Sequence, residues 1–319
     1  MSVEDFYRGK NIAVTGGCGF VGGTLVKKLV DAGANQVVVL DTMVRGNRKI
    51  KGALYHPSDV TRLESCAFWF KRVDVVFNLA ASVAGVLHNM SHHTEMYTEN
   101  IGLVTTPVMA AQQEGVKHFL QVSSVCIYDP RLNHPSFEES GMLGEPHFAN
   151  AGYAEAKRDG ERMIQWSNLD HAVIVRPSNI YGPFDYFDEK AHVIPALIRK
   201  SIDDDVIHLY GPSQTEREFI FVHDVADGMM HAMAYGRNKT AYNIGCHGKN
   251  KVSMILLAEM IREGVGYPEK EIIVHSDEGG GDPIRFSSCS RMNDLGWRWS
   301  TPLDDGLLRT IEWYKSERV

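Results

Sequence analysis

Residues 11–22 read NIAVTGGCGFVG. The first five form a short, mostly apolar run with three β-branched members, the pattern of a buried strand. Glycines then crowd a turn. Leu25, Leu29 and Val30 follow at helical spacing, and Gly33 stands where that helix should stop. A second apolar run, QVVVL, ends at Asp41. The order strand, glycine turn, helix, strand predicts a βαβ unit. Gly16, Gly19 and Gly22 let the backbone approach a pyrophosphate. The helix opening at Phe20 and Val21 supplies free N–H groups and a positive dipole end. Asp41 lies 19 positions after Gly22, where a carboxylate accepts hydrogen bonds from ribose hydroxyls and repels a 2′-phosphate. The expected cofactor is therefore NAD rather than NADP, with Arg45 and Arg48 as the features that lean the other way.

The same alternation continues outward. Ala53 to His56 is the expected third strand, and Asp59 with Val60 stands at its end, placed to meet an adenine. A helix cap is an equal reading of Asp59. Val73 to Leu79 is the expected fourth strand. Leu79, Ala80 and Ala81 are mostly small, so a dinucleotide could pass close to the backbone there. A helix over 91–113 and a fifth strand over 117–124 complete the pattern of a doubly wound parallel sheet, the Rossmann arrangement.

Bulk properties narrow the class. Hydrophobic residues make up 44% and charged residues 23%, ordinary for a soluble enzyme, and 319 residues suit a large α/β domain with a second lobe. A net charge of −7 argues against a nucleic-acid partner. The five cysteines form no CxxC pair, so a reduced, cytoplasmic protein is expected. The opening MSVEDFYRGKN has no apolar signal core, and no apolar run is long enough for a membrane. His92 and His93 are adjacent and so point apart on a helix, with no carboxylate at a ligand spacing. A solvated helix start is expected there and no metal.

Chemistry gathers in two segments. In QVSSVCIY (121–128), Ser124 and Cys126 are two residues apart. If the segment is extended, both face one side, at a strand's carboxyl end where open sheets bind ligands. A buried filler is the alternative for Cys126. In GYAEAK (152–157), Tyr153 and Lys157 share a helix face. The ammonium, together with a positive nicotinamide ring, is expected to lower the phenol's pKa and let it act as a base.

These segments, with RPSNIYGP (176–183), REFIFVHDVADG (217–228) and DLGWRWSTPLDDGLLRTIEWY (294–314), resemble the extended short-chain dehydrogenase/reductase enzymes that modify nucleotide sugars. The resemblance implies a cofactor domain over 1–176, also receiving parts of 218–250, and a smaller carboxyl-terminal α/β substrate lobe over 177–319. It places Ser124, Tyr153 and Lys157 on the family's catalytic positions and Pro177 beside the cofactor. Asn179 then faces sugar or phosphate, and Arg217 and Arg285 hold the diphosphate. It also implies a homodimer built from helices 91–113 and 150–166.

Two subfamilies are most similar, GDP-mannose 3,5-epimerase and GDP-fucose synthase. Both patterns make Cys126 an acid/base. The fucose synthase pattern has a His where His192 stands in AHVIPAL, and the mannose epimerase pattern has a Lys in that region. Lys190 lies nearby at an offset from Pro195 that does not match, so His192 is taken for the partner role. Ala84 and Asp129 depart from the usual Gly and Pro. Sugar 4,6-dehydratases carry Thr-Asp-Glu where Ser124-Val125-Cys126 stands, which counts against elimination. The implied function is NAD-dependent epimerisation at C3 and/or C5 of a GDP-mannose-type sugar through transient C4 oxidation. The alternatives are a GDP-4-keto-6-deoxy-sugar epimerase/reductase and a simple C4 or C2 epimerase. Residues 177–190 are expected to be a loop whose aromatics cover a ligand or pack the lobes, and Asp224 is expected to cap the following helix.

Overall fold

The structure is a computed structural model. It describes residues 2–132, 134–189, 191–277 and 283–318, with Leu87 by its backbone alone. After α1 (Val3–Tyr7), strands and helices alternate through β1 (Asn11–Thr15), α2 (Phe20–Asp31), β2 (Gln36–Asp41), β3 (Leu54–Pro57), α3 (Leu63–Phe70) and β4 (Val75–Asn78). Then come α4 (Val86–Ser91), α5 (His93–Gln113), β5 (His118–Val122), α6 (Ala151–Trp166) and β6 (His171–Pro177). The second half holds β7 (Asn179–Tyr181), α7 (Val193–Asp203), β8 (Val206–Tyr210), β9 (Glu216–Phe221), α8 (Val222–Tyr235) and β10 (Thr240–Ile244). It closes with β11 (Lys251–Ser253), α9 (Met254–Val265), β12 (Glu271–His275), β13 (Ile284–Arg285), α10 (Ser290–Asp294) and α11 (Leu303–Ser316).

One sheet has the order β10-β6-β5-β4-β1-β2-β3, and every pairing in it is parallel. The chain builds outward from β1 to β3, then returns to β4 on the other side. That reversal leaves a crevice beyond the carboxyl ends of β1 and β4, the place where such sheets bind ligands. Strand alternation sorts the apolar side chains. Ile12, Val14, Val37 and Val39 face a core closed by α2 and α8, while Ala13, Val38 and Leu40 face the opposite core. At the crevice floor the Thr15 hydroxyl donates to Asn78 Oδ1 at 2.5 Å and accepts from the Leu79 and Ala80 N–H groups at 3.1 Å. These bonds pin the two strand ends together.

Three strands pair around β9: β7 and β13 parallel to it, β11 antiparallel. β8 and β12 form a separate parallel pair. A third apolar core, with Ile194, Leu197, Leu257, Ile261, Leu307 and Ile311, lies against this region. No described helix is long and apolar enough to cross a membrane.

Several expectations need correction. The predicted helix over 91–113 begins only at His93. Before it runs α4, and His92 breaks the two with φ −132° and ψ 40°. The fifth strand stops at Val122, and Val125–Ile127 is a 3₁₀ turn, so the alternating-face argument for Ser124 and Cys126 does not hold. The cause is local: Ser124 Oγ accepts the Cys126 N–H at 3.1 Å and curls the chain. The expected loop after Pro177 contains β7, recruited by β9. Asp224 does not cap α8, whose N-cap is Phe221; its carboxylate binds Ser300 and Thr301 instead. Lys190 lies outside the described residues.

Candidate functional site

The glycine turn is shaped by close backbone approach. Gly16 has φ +68°, and a Cβ there would sit 3.0 Å from the Ala80 backbone. A Cβ on Gly22 would collide with the Gly16 carbonyl. Gly19 is the N-cap of α2 and offers no side-chain acceptor, so Phe20 and Val21 open the helix uncapped by a side chain. Asp41 accepts the Cys18 N–H at 3.0 Å and the Met43 N–H at 2.8 Å. A carboxylate has further lone pairs, so ribose hydroxyls can still bond to it. The turn, the free helix end and the acidic strand end therefore fit a dinucleotide. Asp59 forms a turn with Thr61, which donates to it from both N–H and hydroxyl, and these bonds lower its pKa. It is not the cap of α3, whose N-cap is Arg62. The Val60 side chain is buried in the core. Pro177 is the last residue of β6 and pairs with Ile244.

The reactive groups meet beyond β5. Tyr153 and Lys157 project from α6 on one face, the Lys157 ammonium 5.5 Å from the Tyr153 ring centre. Lys157 is 2% exposed and donates to the Val122 carbonyl at 3.0 Å. Burial drops its pKa to about 8, against the pull of Cys126 and Glu161. The protein's own groups move the Tyr153 phenol upward. Burial raises its pKa, Cys126 raises it further, and only the Ser124 hydroxyl lowers it. Desolvation is the largest cause, and the ammonium itself is directed at a backbone carbonyl. Cys126 is half-buried, while the other four cysteines are buried. Its sulfur accepts from Arg285 Nη1 at 2.9 Å. Arg285 on β13 is the register partner of Arg217 on β9, and both are at least nine-tenths buried. Arg217 donates to the Glu216 carbonyl, and Asn179 donates to the Glu218 carbonyl at 2.7 Å.

His192 lies at the start of α7. It occupies the N-cap of α7 without capping it. Its ring reaches solvent but has protein around it; that burial and Arg45 lower its pKa, and Asp188 opposes them.

Sequence reasoning missed a strap over the glycine turn. Arg48 stacks on Phe184 at 3.5 Å and Arg45 on Tyr186 at 4.4 Å. Arg45 also donates to the Val83 carbonyl at 2.6 Å. These residues, with Gly19 and Phe20, line a recess over the start of α2. Between the two aromatics sits Asp185, 6% exposed, its pKa raised to about 7 by burial. Glu218 was also missed. It is fully buried and bonded by Ser178 Oγ and the Gly248 N–H, both at 2.5 Å. The available signal was an acid beside the apolar run Phe219–Phe221, next to Glu216 and Arg217 in β9. Asp129, one of the noted departures, is gripped by the Arg131 fork and the Glu145 N–H, an anchor for its loop.

The metal expectation needs one amendment. His88, His92 and Glu95 bring ligand atoms within 4.8 Å of one another, so a carboxylate does stand at ligand range. The two imidazoles stack 4.0 Å apart at 7°, which aligns their lone pairs in parallel rather than converging them on an ion.

Comparison with known proteins agrees with this geometry. The chain is 31% identical over 318 residues to probable GDP-L-fucose synthase 1 of Oryza sativa subsp. japonica, covering 96% of this chain and 92% of that protein. It is 28% identical over 319 residues to the GDP-L-fucose synthase of Sinorhizobium fredii, covering 97% and 96%. The UDP-glucose 4-epimerase of Thermotoga maritima, solved with UDP-glucose, superposes with a TM-score of 0.88 at 25% identity, covering 97% of this chain and all of that one. Residues 12–245 match the NAD dependent epimerase/dehydratase family, and the chain belongs to that family.

Proposed function

We propose that the chain is an NAD-dependent epimerase of a GDP-hexose of the mannose type, acting at C3 and/or C5 through a transient C4 ketone. The observation that carries the reading is the Cys126 thiol, set electrostatically against Tyr153 and Lys157. A redox exchange at a hydroxyl does not need a thiol; proton exchange at carbon needs a group of that kind. The chemistry NAD supplies when bound is reversible acceptance of the C4 hydride. Tyr153 takes the C4 hydroxyl proton and returns it when the ketone is reduced. Its raised pKa means that added positive charge in the loaded site must bring it into range, and Lys157 helps by remaining largely protonated at neutral pH.

The C4 carbonyl makes the neighbouring C–H bonds acidic by delocalising the carbanion as an enolate. Cys126 removes or delivers a proton on one face, and His192 serves the other. The lowered pKa of His192 favours the neutral, basic ring at neutral pH. Ser124 bonds the reacting oxygen, Arg217 and Arg285 hold the diphosphate, and Asn179 orients the sugar side. Asp41 supports NAD over NADP, and the stacking of Arg45 and Arg48 on aromatic rings supports it too. A homodimer through α5 and α6 belongs to the same reading, and light scattering checks it.

A second reading is favoured by the relatives' names: an epimerase/reductase of a GDP-4-keto-6-deoxy sugar. The cofactor balance separates the two. With GDP-mannose and substoichiometric NAD⁺, the epimerase forms an isomer with no net change in reduced cofactor. Consumption of one NADH or NADPH per 4-keto-6-deoxy sugar, with GDP-mannose unchanged, replaces the first reading with the second.

A further inference from the structure

Arg285 is bonded to a group of unusual character for a buried guanidinium. Sulfur is a weak acceptor, yet Nη1 lies 2.9 Å from Cys126 Sγ. Arg285 is only 8% exposed, and Arg217, its parallel-register neighbour at 9%, shares its side of the sheet. A diphosphate would offer this pair anionic oxygens in the geometry a planar fork binds best, and such charge-assisted bonds are stronger than N–H to sulfur.

We propose that Arg285 is shared between Cys126 and the nucleotide diphosphate, so that diphosphate binding draws the guanidinium off the sulfur. Arg285 is then a positioning residue that couples substrate recognition to the thiol. This rests on the reading of Arg217 and Arg285 as the diphosphate site. Before substrate binds, the guanidinium occupies the sulfur. Once the diphosphate has drawn it off, the sulfur is free to meet the carbon acid that has arrived.

The test is calorimetric titration of inorganic pyrophosphate into wild type, Cys126→Ala, Arg285→Gln and the double variant. The expected result is severalfold tighter binding in Cys126→Ala, because the guanidinium then has no sulfur to leave. Cys126→Ala should bring no gain in the Arg285→Gln background. Equal affinity in wild type and Cys126→Ala overturns the proposal. So does a gain that persists in Arg285→Gln. If Arg285→Gln does not fold, Arg285→Lys takes its place. Pyrophosphate binding needs no turnover, so the coupling can stand where the epimerase reading fails, and the reverse.

Discussion

The glycine turn and the Cys126 cluster sit at the ends of neighbouring parts of one sheet but are built differently. The turn is made of backbone: Gly16 against Ala80, Gly22 against Gly16, Asp41 against the Cys18 N–H. Its shape is fixed by what side chains are missing. The cluster is made of side chains whose charge depends on burial. Tyr153 is pushed up, Lys157 is pushed down, and Arg285 rests on a thiol. The first region fails by collision and the second by a wrong protonation state.

That difference orders the predictions. Tyr153→Phe should lower turnover roughly 10²- to 10⁴-fold, the usual contribution of a positioned proton-transfer group, while the urea midpoint barely moves. A variant that keeps turnover removes Tyr153 from the chemistry.

Lys157 should show its cost in the pH dependence of stability. Its folded pKa, about 8, lies below the ordinary 10.5, so the charged form is disfavoured by folding. The penalty is complete below about pH 8 and fades as pH rises toward 10.5, on the order of 3 kcal/mol in all. Urea unfolding of wild type and Lys157→Met should therefore shift in favour of wild type between about pH 7 and pH 10. A pH-independent difference would mean that the ammonium is not desolvated.

Gly22→Ala should cost about 1–3 kcal/mol of stability by overpacking and should weaken NAD binding, with no change in any pH profile. An altered pH profile would blur the contrast between the two regions. The smallest effect is expected at the strap: Arg48→Ala should lose about 0.5–1 kcal/mol, the worth of a cation–π contact. Urea unfolding of Gly22→Ala and Arg48→Ala checks both losses on one scale, and calorimetric titration of NAD checks the binding.

The same contrast explains what could be read in advance. The βαβ unit was legible because NIAVT, the glycines and Asp41 are contiguous and their roles are local. The parallel sheet followed from simple alternation. Ser124, Cys126, Tyr153 and Lys157 do gather, but the reason given for the first two was wrong. A serine that caps the next turn overrides strand periodicity, and apolar neighbours at 125 and 127 look the same in either conformation. The strap, β7 and the Glu218 network were hidden because each joins segments far apart in the chain. Arg48 meets Phe184, and Ser178 meets Glu218. No local signal encodes such a pairing. The partner of the ammonium was hidden for a related reason: spacing puts Lys157 near Tyr153, but only the fold shows that it turns to the Val122 carbonyl.

The central claim is that Cys126 exchanges protons at sugar carbon. The most direct measurement is mass spectrometry of GDP-mannose incubated with the protein and NAD⁺ in deuterated water. Deuterium appearing at carbon, and disappearing in Cys126→Ser, is the predicted result. Turnover of GDP-mannose with no carbon-bound deuterium, or uptake that persists undiminished in Cys126→Ser, would contradict it.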